Sequence, residues 1–228
     1  TPTQGLVSEL GAVNINQWIV PSILLDRDLS GTEASLGPVL ILRRRALMDI
    51  GGFSVVSNYL AEDCEMGRRV ARAGWGVRLS DYTVATMVDE TSLRALIRHE
   101  VRWAHTVRAV RPFDHLLSVV TCALPLLMVL FALKPALWSA ILLSIYLSLR
   151  LLLSHIIQRR MGFARPMKWW MVWPRECLCF LVWFTSLFSR AVLWRGQTFR
   201  LMRGGLLVPE SGSSREVFSP VEAPNAAE

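Results

Sequence analysis

The chain has 228 residues, 52% of them hydrophobic, with a mean hydropathy of +0.36. This composition is too apolar for a simple soluble domain and leaves room for one modest domain plus membrane helices. The net charge of +7 would suit a nucleic-acid partner, but the arginines cluster beside apolar segments. Because zinc spacing, a recognition-helix pattern and an RNA-binding signature are all missing from the sequence, we expect no nucleic-acid partner.

The first thirty residues are mostly apolar, with Trp18 and Pro21 in the middle. The run from Trp18 to Leu25 is too short to span a bilayer. It predicts either an amphipathic, interfacial segment or an ordinary packed helix, and the sequence favours neither. Asp26-Arg27-Asp28 follows and is interpreted as a solvated helix end.

The next part of the chain predicts alternating strands and helices. Val39–Leu42 is a short apolar run bounded by Gly37-Pro38 and by arginines, which is typical of a buried strand. Ala46–Gly52 is predicted as a helix, and Val77–Ser80 and Tyr82–Val88 as two short strands. The order predicts the second half of an α/β domain.

Between these strands, Leu60–Trp75 predicts a short helix that begins at Glu62-Asp63 and ends at Gly74. Met66, Val70 and Ala73 would form its apolar stripe. Asp63 then lies in the first turn, where the helix dipole favours an ionised carboxylate. On this stretch alone, the favoured interpretation is that Asp63 is an acidic cap that does no chemistry.

A second helix is predicted over Leu93–Val110, with Ser92 as its cap. It contains the sequence Arg98-His99-Glu100-Val101-Arg102-Trp103. The simplest interpretation is a basic helix beside the membrane that touches anionic lipid. We prefer that interpretation for Arg98, and a substrate-binding role for Arg102 and Trp103.

Three apolar stretches follow. Leu116–Leu133 and Ala136–Ile157 have the length of membrane spans, and Arg150 would lie near one end of the second, where it could reach the interface. The third, Cys177–Trp194, is expected to lie partly in the interface, because a third span would oppose the positive-inside rule. From Pro209 onward the composition predicts a disordered tail.

These blocks resemble the C-terminal half of the ceramide glucosyltransferase family, membrane enzymes of the glycosyltransferase family 2 type. The resemblance covers roughly Gly37 to Gly205, and the bacterial branch linked to hopanoid biosynthesis is the most similar. The matching residues are Leu60-Ala61-Glu62-Asp63 with Met66 and Ala73-Gly74-Trp75, then Arg102-Trp103 of the family's (Gln/Arg)-x-x-Arg-Trp, and finally Leu193-Trp194-Arg195 with Phe199-Arg200-Leu201.

The resemblance implies an inverting transfer of a hexose, of the glucose or N-acetylglucosamine type, from a UDP-sugar to a lipid hydroxyl such as that of a ceramide or hopanoid. Asp63 would be the catalytic base, while Arg102, Trp103, His99 and Glu62 would bind substrate. His99 stands where the family has Gln or Arg, which places the role of that position in doubt.

The resemblance also implies the C-terminal part of a GT-A-like domain over residues 1–112, a membrane region over 113–208 and a tail over 209–228. The chain would then be a fragment without the donor-binding half, inactive alone. A divalent metal, Mg²⁺ or Mn²⁺, is expected from the family, but its Asp-x-Asp ligands are not found here in a nucleotide-binding context. The protein would lie in a bacterial inner membrane with its catalytic part facing the cytoplasm.

Two other functions remain open at this point. A processive polysaccharide synthase of the same superfamily would need a channel, usually made from more spans than this chain has. A non-catalytic membrane scaffold or transporter subunit would line a pathway with intramembrane charges, for which Arg150 and Arg190 are the candidates.

Overall fold

A computed structural model describes Pro2 and residues 5–30, 35–162, 167–188, 191–194 and 197–209. The described residues are mostly helical. The α-helices are α1 Gly5–Asn14, α2 Val20–Ser30, α3 Arg44–Asp49, α4 Glu62–Arg72, α5 Leu93–Val110, α6 Pro112–Leu117, α7 Leu124–Leu133, α8 Leu137–Met161 and α9 Val172–Ser186. The strands are β1 Ala191–Trp194, β2 Gln197–Leu201 and β3 Leu207–Pro209.

The chain divides into two compact units, described separately below. Unit 1 comprises Thr1–Thr32 and Ser80–Ser189, and unit 2 comprises Glu33–Leu79 and Arg190–Glu228. Unit 1 contains seven of the α-helices above, and unit 2 contains α3, α4 and the strands.

In unit 1, α1 and α2 run on through a π-helical segment, Ile15–Ile19. Pro21 follows this segment and does not end the helix. The wider π turn changes the hydrogen-bond register just before Pro21, which has no backbone N–H to donate. Trp18, at 8% exposed, packs with Val13, Met171 and Val172 in a buried cluster. The segment is therefore packed against α9.

Helix α5 confirms the predicted bounds, Leu93–Val110. The Ser92 hydroxyl accepts a hydrogen bond from the Ala95 backbone N–H at 3.2 Å, as expected of a cap. Leu96 packs on Leu178 and Val182 of α9, which fixes the buried face of α5.

Helix α8 is long and apolar enough to cross a membrane, judged by length and composition. Pro112–Cys122 and Leu124–Leu133 pass the same test together but are bent by 57°. The predicted first span, Leu116–Leu133, is thus broken near Cys122. The third apolar stretch is not one helix: α9 ends at Ser186, and Ala191–Trp194 forms β1.

Unit 2 is built around α4 and an antiparallel sheet of order β1-β2-β3. The backbone N–H of Leu60 donates to the carbonyl of Gly205 at 3.0 Å, and Tyr59 bridges Leu206. The turn between β2 and β3 therefore anchors the residues that lead into α4. Met66 and Val70 are buried as predicted, whereas Ala73 is exposed, since α4 ends at Arg72.

The predicted strands are wrong. Val39–Leu42, Val77–Ser80 and Tyr82–Val88 form no strand in the described part of the chain; only Val88 makes an isolated bridge, with Pro2. Ile41 is 93% exposed and Tyr82 88% exposed, so these runs lack the packed neighbours that apolar strands need. Instead of the expected α/β domain, the described residues form a mostly helical protein with one small sheet. The GT-A-like fold stays a prediction.

The predicted tail begins at Pro209, and residues 210–228 lie outside the described residues. Arg190 and Arg195 also lie outside them. The predicted boundaries at residues 112 and 208 stay a prediction.

Candidate active site

Asp63 lies in the first turn of α4, half-buried, as the sequence predicts. Its Oδ1 accepts a hydrogen bond from the backbone N–H of Cys64 at 2.7 Å. This N–H is one of those that a helix leaves unpaired at its start. The carboxylate is therefore held at the positive end of the helix, where negative charge is stabilised.

A segment from outside the motif packs on this turn. The Ser35 hydroxyl donates to the backbone carbonyl of Asp63. A Cβ atom added to Gly37 would lie 3.1 Å from Oδ2 of Asp63, and one added to Gly67 would lie 2.5 Å from the Ser35 hydroxyl oxygen. The approach at Gly67 needs glycine, because a Cβ would also lie 2.9 Å from the Ser35 backbone nitrogen, whereas at Gly37 a Cβ would require Asp63 to shift by a few tenths of an ångström.

The acidic residues around Asp63 have different surroundings. Glu62 is exposed. Glu65 is 6% exposed and accepts from Arg68 at 2.8 Å and from Arg69 at 2.9 Å. Glu65 is therefore a structural ion-pair residue, which leaves Asp63 and Glu62 as the carboxylates with room for chemistry.

In unit 1, α5 places His99, Arg102 and Trp103 on one face, since positions i, i+3 and i+4 are neighbours on a helix. All three side chains are half-buried. The rings of His99 and Trp103 meet edge-on with centroids 4.3 Å apart. The motif thus forms a continuous aromatic and cationic surface.

His99 has a partner that the sequence analysis missed. Its Nδ1 is hydrogen-bonded to Glu90, on the loop before α5. Burial raises the pKa of the Glu90 carboxyl, but the hydrogen bond with His99, a backbone hydrogen bond and the charge of His99 together lower that pKa by more, so the net shift is downward. Glu90 is thereby kept as a carboxylate that orients the imidazole through Nδ1.

The opposite side of α5 holds buried charge. Glu100, 3% exposed, forms a bidentate ion pair with Arg175 of α9, at 2.8 and 2.6 Å, and accepts from Asn14 at 3.1 Å. His105 is 6% exposed, and burial together with the Arg108 cation lowers its pKa. The ion pair of Glu100 therefore fixes which face of α5 packs against α9. His105 is an uncharged imidazole in the protein interior.

The structure brings His99, Arg102 and Trp103 together in unit 1, and Asp63 and Glu62 in unit 2. Each group alone has recognisable chemistry. A carboxylate at a helix start can accept a proton, and an arginine beside an aromatic ring can bind phosphate and cover a sugar.

The structure offers no metal-binding group in its described ranges, where no three His, Cys, Asp or Glu side chains lie close enough to hold an ion. The Asp26-Arg27-Asp28 sequence does not fit a metal either. Asp26 is paired with Arg111 at 2.7 Å, and Asp28 with Arg27 at 3.2 Å. We therefore derive no step through a metal at this sequence.

Comparison with known proteins identifies the family of this chain. The model of the family described as glycosyl transferase family 21 matches residues 1–207. The chain belongs to glycosyl transferase family 21. It is also similar to ceramide glucosyltransferase 3 of Caenorhabditis elegans, with 26% identity over 186 residues, which cover 77% of this chain and 40% of the relative. No solved structure matches the chain.

This result confirms the resemblance to ceramide glucosyltransferases, while the hopanoid association stays a prediction. The family 21 match includes both the Asp63 block and the Arg102-Trp103 block. The chain spans about 40% of the length of the curated relative that it matches.

Sequence reasoning missed Ser35, Gly37, Gly67 and Glu90 around these blocks. Gly67 was the one available signal, because an isolated glycine inside a helical pattern often has a packing reason. Ser35, Gly37 and Glu90 lie in irregular segments, whose contacts no periodic pattern predicts.

Proposed function

We propose that this chain is part of a membrane enzyme that transfers a hexose, of the glucose or N-acetylglucosamine type, from a UDP-sugar to a lipid hydroxyl with inversion at the anomeric carbon. The match to glycosyl transferase family 21 carries this proposal, because it includes both candidate blocks. The name of the nematode relative supports a lipid acceptor of the ceramide kind, and a hopanoid-like acceptor is the other member of the proposed class.

In this proposal Asp63 is the catalytic base. As the acceptor oxygen attacks the anomeric carbon, the bond from that carbon to the diphosphate breaks, and the diphosphate leaves with the electron pair. Asp63 takes the proton from the acceptor oxygen. The hydrogen bond from the Cys64 N–H supports this role, since it orients the carboxylate before substrate binds.

Arg102 binds the diphosphate, on which negative charge grows during transfer. Its planar guanidinium suits two phosphate oxygens at once. Trp103 covers a sugar face, and His99, oriented by Glu90, contacts the donor through its ring. A divalent cation, Mg²⁺ or Mn²⁺, belongs to the proposal through the family resemblance, with no ligands assigned in this chain. We place the enzyme in a bacterial inner membrane, with the catalytic part facing the cytoplasm.

The first test compares Asp63→Asn with wild type in membranes that contain the full-length parent protein. Radiolabelled UDP-glucose and UDP-N-acetylglucosamine are the donors, and label in extracted lipid is measured. We expect Asp63→Asn to lower transfer by at least about a hundredfold while UDP binding is kept, because general-base catalysis contributes about that much. Asp81→Asn, an exposed carboxylate in a bend of unit 1, is the matched control and should keep wild-type transfer.

Full transfer by Asp63→Asn would reduce Asp63 to a helix cap and end this mechanism. Glu62→Gln resolves the remaining choice between the two acids, since loss of transfer in that variant alone would move the base to Glu62.

A second comparison concerns Arg102. Arg102→Lys keeps the charge but loses the two-pronged geometry, so we expect kcat/KM for the UDP-sugar to fall about tenfold or more. Arg98→Lys, one turn earlier and exposed, should leave kcat/KM unchanged. Equal values for the two variants would show that Arg102 contributes only charge.

A further inference from the structure

The segment Tyr82–Val88 of unit 1 has the composition of a strand but exposes its apolar side chains. Tyr82 is 88% exposed, Met87 76% and Val84 54%. The segment contains no charged residue and is rich in β-branched side chains. Uncharged segments of this length with high β propensity are prone to aggregate when they stay exposed, so natural proteins cover them. The segment therefore requires a covering partner.

The far end of the segment is already fixed in unit 1. Val88 is 6% exposed. A Cβ atom added to Gly11 of α1 would lie 2.8 Å from Cγ1 of Val88 and 3.1 Å from Cδ1 of Leu96 in α5. Two residues after Val88 comes Glu90, whose carboxylate is hydrogen-bonded to His99. A partner of the segment would therefore also steady the loop that orients His99.

The structure already contains the start of a pairing. Val88 forms an isolated parallel bridge with Pro2. In a parallel pair both strands run in the same direction, so residues before Pro2 lie opposite residues before Val88. Helix α1 begins at Gly5, so the chain after Pro2 does not continue along the segment. The bridge thus sets both the direction and the register of a partner strand.

Two observations favour a partner strand from the same protein. A bilayer is a poor partner, because it offers no hydrogen bonds to the backbone of a segment that is not helical. The match to the nematode relative covers only 40% of that relative. In the proposed function, on which this step rests, the chain is part of a longer enzyme, and that enzyme supplies residues before Pro2.

We propose that, in the full-length parent protein, Tyr82–Val88 is the docking edge for a parallel β-strand formed by the residues directly before Pro2. Val84 lies four residues before Val88, so it faces the parent residue four positions before Pro2. The added strand pairs with the backbone of the segment, and its alternate side chains cover Tyr82 and Val84. The docking edge then joins that part of the enzyme to the loop of Glu90.

The test is a disulfide that forms only in this register. Val84→Cys is combined, in the full-length parent in membranes, with a cysteine at the parent residue four positions before Pro2. Paired strands lie about 4.8 Å apart, within the Cα separation of about 4.4–6.8 Å that a disulfide needs. After mild oxidation, linked peptides are identified by mass spectrometry, which also separates them from links that involve native cysteines.

The matched control moves the second cysteine by one residue, to the position three before Pro2. Its side chain would point to the opposite face of the sheet. We expect at least about tenfold more disulfide in the first pair than in the control pair, because Cβ atoms that point apart cannot be bridged.

Hydrogen exchange of the parent without added cysteines gives an independent measurement, which also serves where a cysteine pair does not fold. We expect the peptide that contains Tyr82–Val88 to exchange at least about tenfold more slowly than the same peptide in denaturant, because amides paired in a sheet exchange only after local opening.

Equal disulfide yields in the two pairs, zero included, would overturn the proposal, as would exchange as fast as in denaturant. A disulfide between two copies of the parent would assign the edge to self-association and overturn it too. Transfer is measured on the parent without added cysteines. Transfer without the register-specific disulfide overturns this inference alone. The disulfide without transfer from any UDP-sugar supports the docked strand and refutes the proposed function.

Discussion

The Asp63 carboxylate is positioned by a residue that has no side chain. Gly37 comes so close that an added Cβ would lie 3.1 Å from Oδ2 and 3.7 Å from Cγ of Asp63. A methyl group at that distance must push the carboxylate or the Ser35–Gly37 segment away. The shift needed is a few tenths of an ångström. Because a displacement of about 1 Å can cost a catalytic group about a hundredfold in rate, this smaller shift should lower the rate by less.

We therefore expect Gly37→Ala to lower kcat for lipid glycosylation about two- to tenfold, with a small change in the thermal midpoint. Gly76→Ala is the control, since Gly76 lies in the same unit with nothing within 4 Å of an added Cβ. Radiolabel transfer and thermal unfolding in detergent are measured for both. Wild-type kcat in Gly37→Ala would show that the Asp63 carboxylate tolerates displacement.

For single residues, the sequence predicts which side chains are candidates for the site better than it predicts the contacts that hold them. Asp63 follows from its place at the start of a helical pattern, and Arg102-Trp103 from the family resemblance. The contacts that hold them, from Gly37 to Asp63 and from Glu90 to His99, join segments that have no regular period. Such contacts depend on how loops pack, which local patterns do not encode.

Among the elements, α5 has two functions on two faces. One face carries His99, Arg102 and Trp103, and the other carries Glu100 in its ion pair with Arg175 of α9. The Arg175 side chain is 1% exposed. Removing one partner from such a pair leaves an uncompensated buried charge, whereas replacing both with apolar residues can be nearly neutral.

We predict that Glu100→Gln lowers the free energy of unfolding by about 3–5 kcal/mol, and that Glu100→Met with Arg175→Met recovers most of it. Glu9→Gln is the control, because Glu9 pairs with the half-exposed Lys168 at 2.7 Å and its loss should cost about 0–1 kcal/mol. Denaturant unfolding in detergent measures all variants. Similar losses for Glu100→Gln and Glu9→Gln would contradict the role of the buried pair.

The elements also show where periodicity is informative. The bounds of α5 and the start of α4 were predicted because Ser92 and the Glu62-Asp63 pair are strong starts for helices with clear amphipathic periods. The strands were not predicted correctly, because a short apolar run such as Val39–Leu42 specifies burial only when a partner lies beside it. The observed sheet instead forms from Ala191 onward, where we expected membrane interface.

For the molecule as a whole, α9 carries two adjacent buried charged residues, Arg175 and Glu176. Arg175 pairs with Glu100 of α5, and Glu176 lies beside Arg150 of α8. One helix therefore contacts both the helix that carries the Arg102-Trp103 motif and the candidate span.

Helix α8 has the length and composition of a membrane span. Its 25 residues extend about 37 Å, more than the roughly 30 Å of a hydrocarbon core, whereas the ten residues of α7 extend only about 15 Å. Lys134 precedes α8, and Arg159 and Arg160 lie in its last turn. The two ends of α8 should therefore lie on opposite sides of the membrane.

We predict that cysteines placed at Lys134 and Gln158 react with a membrane-impermeant maleimide from opposite sides of sealed vesicles. The substitutions Lys134→Cys and Gln158→Cys are made with Cys177→Ser, because Cys177 is an exposed native thiol. Labelling is compared in right-side-out and inverted vesicles, and in detergent, where both cysteines should react fully. Reaction of both from the same side would show that α8 does not cross the membrane.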